Sequence, residues 1–279
     1  MIDKKSIILG ILYLVFNLVT TNAFANSNNC ESNIAIPDNV SNSRIIVIGE
    51  NHGTVEMPEY LSQLGCYFVS SGKQVLIGLE IGASEQVRIN SYLQSDGDSI
   101  DKSNLFDSRF WEHGRNFGVA SHAIFMIIEN CRQLRKQGYD ISIFAYDGAE
   151  SAWPVKLSKK ESYWSGYREA LMGLNIELRA RLYPEHTLII FTGDVHARRR
   201  PKSDKNHESM AYYLSERFKT HTITFSHPAG ESWGCTGPID NMNCGRLKTN
   251  KSKFANNPEF DTTIQLMKLT ASPPALGQQ

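Results

Sequence analysis

The sequence predicts an α/β fold, a mainly parallel central sheet with helices on both faces, and three observations carry that prediction. Several short runs are apolar almost throughout, as strands buried on both faces require. Amphipathic helical stretches alternate with them. Polar chemistry is concentrated at the ends of the first four runs rather than spread along the chain.

The elements read in order. "RIIVIGE" (44–50) is a buried strand, and Pro58 to Ser70 carries helical spacing at Tyr60, Leu61, Leu64 and Phe68 before Gly72. "QVLIGLEI" (74–81) is the second strand, followed by a helical stretch from Ser84 to about Gln94. A polar Asp/Ser-rich segment begins a helical excursion near 95–137, whose long amphipathic helix runs from Val119 to Lys136 and stops at Gly138. "ISIFAYD" (141–147) is a third strand, Glu161 to Leu182 a helix ended by Pro184, and "HTLIIFTGDVHA" (186–197) a fourth strand. Glu208 to Phe218 reads as a short helix, "THTITFSH" (220–227) as a strand, and Thr262 to Leu269 as the last one.

Residues 1–25 read as a signal peptide, with Lys4 and Lys5 before an apolar run from Ile7 to Val19 and the small-x-small triplet Ala23-Phe24-Ala25. The remaining chain reads as one α/β domain over 26–270 with a disordered tail, "SPPALGQQ" and its preceding alanine, over 271–279. The expected compartment is periplasmic or secreted, with no integral membrane segment after signal cleavage. The full chain carries 29 basic and 29 acidic residues, a balance that points away from nucleic acid or an anionic membrane as partner.

An exported compartment permits disulfides, and five cysteines cannot all pair within the chain. Cys235 with Cys244 is the favoured bridge, stapling a Gly- and Pro-rich loop over 228–246. Closing about ten residues contributes on the order of 2 to 3 kcal/mol. Cys30 with Cys66 is a further candidate pair, and Cys131, inside a helix, reads as a small buried hydrophobe.

The strand ends hold Glu50 and His52, Glu80, Asp147, then Asp194 and His196. In a parallel sheet all of these lie on the carboxyl edge, where open α/β folds bind ligands. Asp147 and Asp194 are equally well explained as caps of following helices. Glu80, inside "LIGLEIG", is not, because a buried carboxylate without a partner costs several kcal/mol and so needs a cation, an arginine or a proton. Two carboxylates about 4 Å apart would repel by about 4 kcal/mol at an effective dielectric of 20. A divalent metal (zinc, manganese or cobalt) held by Glu50, His52, Glu80 and His196 relieves that tension. A metal-free site in which a Glu orients a His that activates water is the alternative.

Arg168 and Asn175 lie seven apart on one helical face, so Arg168 either binds an anion, holds an active-site carboxylate or makes a surface ion pair. His113, Arg115 and His122 precede the long helix, and "ARRRP" (197–201) reads as an anion guide or a solvated charge run. No G-x-S-x-G elbow is present.

Together "IGENHGT", "GLEIG", "YREALMGLN" and "TGDVHARR" resemble, over about Ile45 to Leu214, the superfamily that joins erythromycin esterases, ChaN-type haem-binding proteins and the TIKI/TraB metalloproteases. The resemblance implies a shared α/β fold and a pocket of Glu50, His52, Glu80 and His196. It implies hydrolysis of an ester, lactone or amide in a small-molecule or peptide substrate, with Arg168, Asp147, Asp194 and Arg115 supporting the site or touching substrate. Two alternatives stand beside it: haem or metal uptake without turnover, for which haem would ask for an exposed Tyr or His and Tyr60, Tyr146 and Tyr163 stand in no diagnostic motif, or a catalytically inert, toxin-like interaction module. Asp194 stands where related sequences often have Asn, and "HGRNF" (113–117) where many have "DGRSS".

Overall fold

The computed structural model describes residues 30, 34, 36–114, 117–148, 161–199, 208–237, 241–253 and 255–277, with side chains omitted at 113, 114 and 161–165. The segment read as a signal peptide, and Arg115, lie outside the described residues.

Six strands form one sheet: β1 (Ile45–Glu50), β2 (Val75–Gly82), β3 (Ile141–Asp147), β4 (Thr187–Gly193), β5 (Thr220–Ser226) and, from the chain's end, β8 (Thr262–Gln265). Their order is β3-β2-β4-β1-β5-β8. Every neighbouring pair is parallel, as the predicted fold class requires. A separate antiparallel hairpin, β6 (Gly230–Thr236) with β7 (Asn243–Thr249), stands apart.

Alternation along β1 shows why the fold has three layers. Ile46 and Ile48 face a core shared with α2 (Glu56–Ser70), α3 (Gln86–Leu93) and α6 (His122–Lys136). Ile45 and Val47 face a second core with Met172, Ile176 and Ala180 of α7 (Glu161–Leu182) and Met210, Ala211 and Leu214 of α8 (Met210–Ser215). All four side chains are fully buried, worth about 2 kcal/mol each in transfer terms. That double burial is what makes the strand a continuous apolar run.

The excursion between β2 and β3 comprises α3, α4 (Ser99–Phe106), α5 (Arg109–Gly114) and α6. Asp98 caps α4 by accepting from Ile100 N and Asp101 N, and Asp101 accepts from Asp98 N in return. The long helix starts at His122 rather than Val119, because Ser121 supplies its cap to Ile124 N at 3.4 Å. Likewise Ser209 caps α8 through Tyr212 N, which places the helix start at Met210.

Both proposed cysteine pairs are disulfides, Cys235–Cys244 with Cα atoms 4.0 Å apart and Cys30–Cys66 with 5.3 Å. Cys131 is buried and free. The loop expected between 228 and 246 is instead the β6–β7 hairpin, in which Cys235 and Cys244 are directly opposed.

The disordered tail expected over 271–279 requires correction, since the chain packs through most of it. Ala271 bridges Thr54, Pro274 bridges Ser121, and Ala275 N donates to Ala120 O at 3.0 Å. Ser272 is 1% exposed. Pro-Pro and small residues gave no periodicity, yet the backbone finds partners at the starts of α2 and α6.

The hairpin and this tail meet on the turn after β1. Gly53 O accepts from Trp233 N and from Ser272 N, both at 2.8 Å. Gly53 has φ 75°, and a Cβ there would sit 2.2 Å from Trp233 O. Gly53→Ala is therefore expected to destabilise the protein by about 2 to 3 kcal/mol, read as a lower urea midpoint at unchanged slope.

Candidate active site

The carboxyl ends of β1, β2, β3 and β4 bring together Glu50, His52, Glu80, Asp147 and His196, and α7 adds Arg168 and Glu169. His52 Nδ1 donates to Glu50 Oε1 at 2.8 Å, which leaves His52 Nε2 facing inward, 4.0 Å from Glu80 Oε2. His196 Nδ1 donates to Glu169 Oε1 at 2.6 Å, and its Nε2 lies 3.6 Å from Glu80 Oε1. Two His–carboxylate pairs thus face one another across Glu80.

Local sequence explains the approach. Gly193 closes β4 where a Cβ would lie 2.9 Å from His52 Nε2, so any larger residue would push the imidazole out. Gly193 N and Thr192 Oγ1 both donate to Glu80 Oε2, at 2.8 and 2.7 Å. Glu80 Oε1 receives Arg168 Nη2 at 2.6 Å. The buried carboxylate that called for a cation, an arginine or a proton has an arginine, plus two further donors.

Arg168 also donates Nη2 to Asp147 Oδ2 at 2.7 Å and Nη1 to His196 Nε2 at 3.1 Å. One turn pair further along α7, Asn175 Nδ2 donates to Tyr146 O at 2.8 Å. The shared helical face of Arg168 and Asn175 therefore docks on the end of β3, and the reading of Arg168 as a surface ion pair is corrected: it is the central cation of a buried cluster.

Asp194 lies apart from the cluster. Its Oδ2 accepts from Arg198 at 2.9 Å and its Oδ1 from Thr224 at 3.2 Å. Glu169 escaped sequence reading although it is only 5% exposed and holds His196. Its second oxygen accepts Met210 N at 2.7 Å, tying α7 to the start of α8. The one available signal was an acid in the middle of a helix, next to the arginine already singled out.

The charges settle accordingly. Burial opposes ionisation of Glu80, but His196, His52, Arg168 and the Gly193 N–H together hold its carboxyl well below the usual carboxylate range. Burial raises Glu50, only partly offset by His52. For His52, burial favours the neutral ring, yet Glu50 and Glu80 outweigh it and push the imidazole from its ordinary value of 6.5 up to about 9. His52 is accordingly an imidazolium near neutral pH.

A divalent metal fits these side chains poorly. The guanidinium of Arg168 already fills the space between Glu80, Asp147 and His196 Nε2. Among the described residues, no group of three or more His, Cys, Asp or Glu is arranged to hold a metal. Haem fits no better: Tyr60 is buried, Tyr146 is fully buried with its hydroxyl on Phe191 O, and the side chain of Tyr163 lies outside the described residues. The space beside His52, lined by Glu50, Leu79, Glu80, Ile81, Val119, Ile124 and Phe191, measures about 10 Å³. That is roughly the lower bound for one water molecule.

The architecture is a parallel α/β sheet with paired histidines and carboxylates at its carboxyl edge. No family profile matches the chain, and no curated protein matches it by sequence. Solved structures do match by fold. A mutant erythromycin esterase EreC in its open conformation superposes with TM-score 0.56 at 14% identity over 75% of this chain and 76% of that one. A Bacillus cereus protein gives 0.59 at 11% over 90% and 92%. A succinoglycan biosynthesis protein gives 0.52 at 12% over 88% and 94%. The chain has the erythromycin esterase-like fold.

Proposed function

We propose that this protein is a hydrolase acting on an ester, lactone or amide of a small-molecule or peptide substrate, without a covalent Ser or Cys nucleophile. The observation that carries this reading is the pair of opposed dyads, Glu50–His52 and Glu169–His196, converging on one ionised carboxylate. The likeness to an erythromycin esterase supports it at the level of fold.

In this reading the two histidines differ in role because their partners differ. His196, with its Nδ1 proton fixed by Glu169, presents Nε2 as the general base; a water engaging that atom replaces the Arg168 hydrogen bond. The water attacks the carbonyl and gives its proton to His196 Nε2. The oxyanion that forms is held by the Nε2–H of imidazolium His52, and the proton on His196 passes to the departing alcohol or amine. Glu80 keeps the positive charges of Arg168 and His52 in place. The two disulfides support an oxidising, exported setting. Among the described residues no helix is long and apolar enough to cross a membrane.

Two measurements test this. A panel of ester, lactone and amide substrates should show turnover by wild type that His52→Ala and His196→Ala each abolish; turnover surviving both would place the chemistry elsewhere. Elemental analysis and absorbance of the same preparation address the bound-group alternatives, a Soret band without turnover being the result that overturns the hydrolase.

The state of His52 also sets a pH dependence. Its folded pKa is raised, so its contribution to stability is complete below about 6.5 and is lost as pH rises through about 9. kcat/KM is expected to fall through the same alkaline range, with that limb absent in His52→Gln. Persistence of the limb in His52→Gln would remove His52 from the role of oxyanion donor.

A further inference from the structure

Past Glu50, on the β5 side of the site, a cavity of about 170 Å³ opens at the sheet's carboxyl edge. Glu50 lines both this cavity and the small space beside His52. The walls of the larger cavity are mainly polar, with Asn51, His227, Ser252, Lys253 and Asn257 among them, and Met57 and Phe225 supply its apolar part.

Hydrogen bonds fix what these walls offer. His227 Nδ1 donates to Pro228 O at 2.8 Å, which leaves Nε2 as an acceptor for Asn51 Nδ2 at 3.3 Å. One N–H of the Asn51 amide is therefore used and the other remains. Ser252 Oγ accepts His227 N at 2.9 Å, freeing its own proton to donate. Asn257 Oδ1 accepts Glu259 N at 3.1 Å, so its amide NH₂ has no partner among the described residues. Lys253 makes no ion pair with any described residue and is exposed.

The charge balance is equally specific. Of the two carboxylates on the wall, Asp194 is paired with Arg198 and Glu50 with His52. Lys253 is left as the uncompensated charge. A polar cavity offering an ammonium, amide N–H groups and a hydroxyl is complementary to a carboxylate.

We infer that this cavity binds a carboxylate arm of the substrate, with Lys253 as its counter-charge and Asn51, Ser252 and Asn257 as donors, beside the carbonyl to be cleaved. The inference rests on the hydrolase reading for its position relative to the chemistry, and on the cavity alone for its ligand class.

Mono-p-nitrophenyl succinate and p-nitrophenyl butyrate form a matched pair, equal in acyl length and differing by one carboxylate. Wild type is expected to favour the succinate ester about tenfold in kcat/KM, mainly through KM. Lys253→Met should bring that ratio close to one, and Lys253→Arg should restore most of it. A wild-type ratio near one, or a ratio unchanged in Lys253→Met, overturns the inference. If neither ester is turned over, the hydrolase reading is judged by the wider substrate panel, and calorimetry with succinate decides the cavity. Binding to wild type that Lys253→Met weakens about tenfold supports it, and no binding to wild type overturns it.

Discussion

His196→Asn is expected to lower kcat by about a thousandfold or more while leaving the fold intact. General acid–base catalysis contributes about 10² to 10⁴ in rate, and in the proposed reaction His196 serves both the attacking water and the leaving group. Its side chain is held by Glu169 at 2.6 Å and by Arg168 at 3.1 Å. Asn places its amide where Nδ1 stood, so Glu169 keeps a donor while the base at Nε2 is lost, and stability should change little. Glu169→Gln is the companion variant. It removes the charge that orients His196 but preserves an acceptor for Met210 N, which donates to Glu169 Oε2 at 2.7 Å. The expected loss is smaller, about ten- to a hundredfold, and appears in kcat rather than in KM. A purely structural Glu169 would lower the unfolding midpoint and leave the kcat of the folded enzyme near that of wild type.

Arg168→Met should be the most destabilising single substitution in the site, costing about 3 to 5 kcal/mol in chemical unfolding. Breaking a buried ion pair from one side strands the other charge, and here two carboxylates are stranded at once. Glu80 and Asp147 lie 2.6 and 2.7 Å from the same guanidinium nitrogen, and their side chains are 8% and 14% exposed. Lys in the same place offers one charge but not the planar fork, and Arg168→Lys should recover only part of the loss. The double variant Arg168→Met with Glu80→Gln distinguishes charge from packing. If stranded charge is the cause, it is more stable than Arg168→Met alone; if lost packing is the cause, the two losses add.

The fold was legible in the sequence where physics is repetitive. β1, β2 and β4 are covered on both faces, so Ile45 to Ile48, Val75 to Leu79 and Leu188 to Phe191 announce themselves as apolar runs. Five polar residues of the site, Glu50, His52, Glu80, Asp147 and His196, were legible for a related reason, since a parallel sheet gathers its strand ends on one edge. What sequence reading missed lacks such repetition. β6 and β7 are half-exposed along most of their length, so no alternation marks them. Glu169 sits one residue from Arg168 on α7, and nothing in a helical spacing says that one of them would grip β2 and β3 while the other gripped His196. The metal argument was reasonable from two glutamates and two histidines, but the same buried charge is met by Arg168 from a helix more than eighty residues beyond Glu80. Only three dimensions bring that guanidinium to the place where a cation was wanted.

The double acceptor at Gly53 has a consequence for the order in which the protein is made. Every dyad residue is already present once the chain has been synthesised through His196, yet both N–H groups that clamp the His52 turn come from later, at Trp233 and Ser272. A polypeptide emerging from its amino end therefore carries Glu50, His52, Glu169 and His196 without a clamped His52 turn until Trp233 and Ser272 have followed. The rigidity of that turn is supplied by segments made after the dyads themselves.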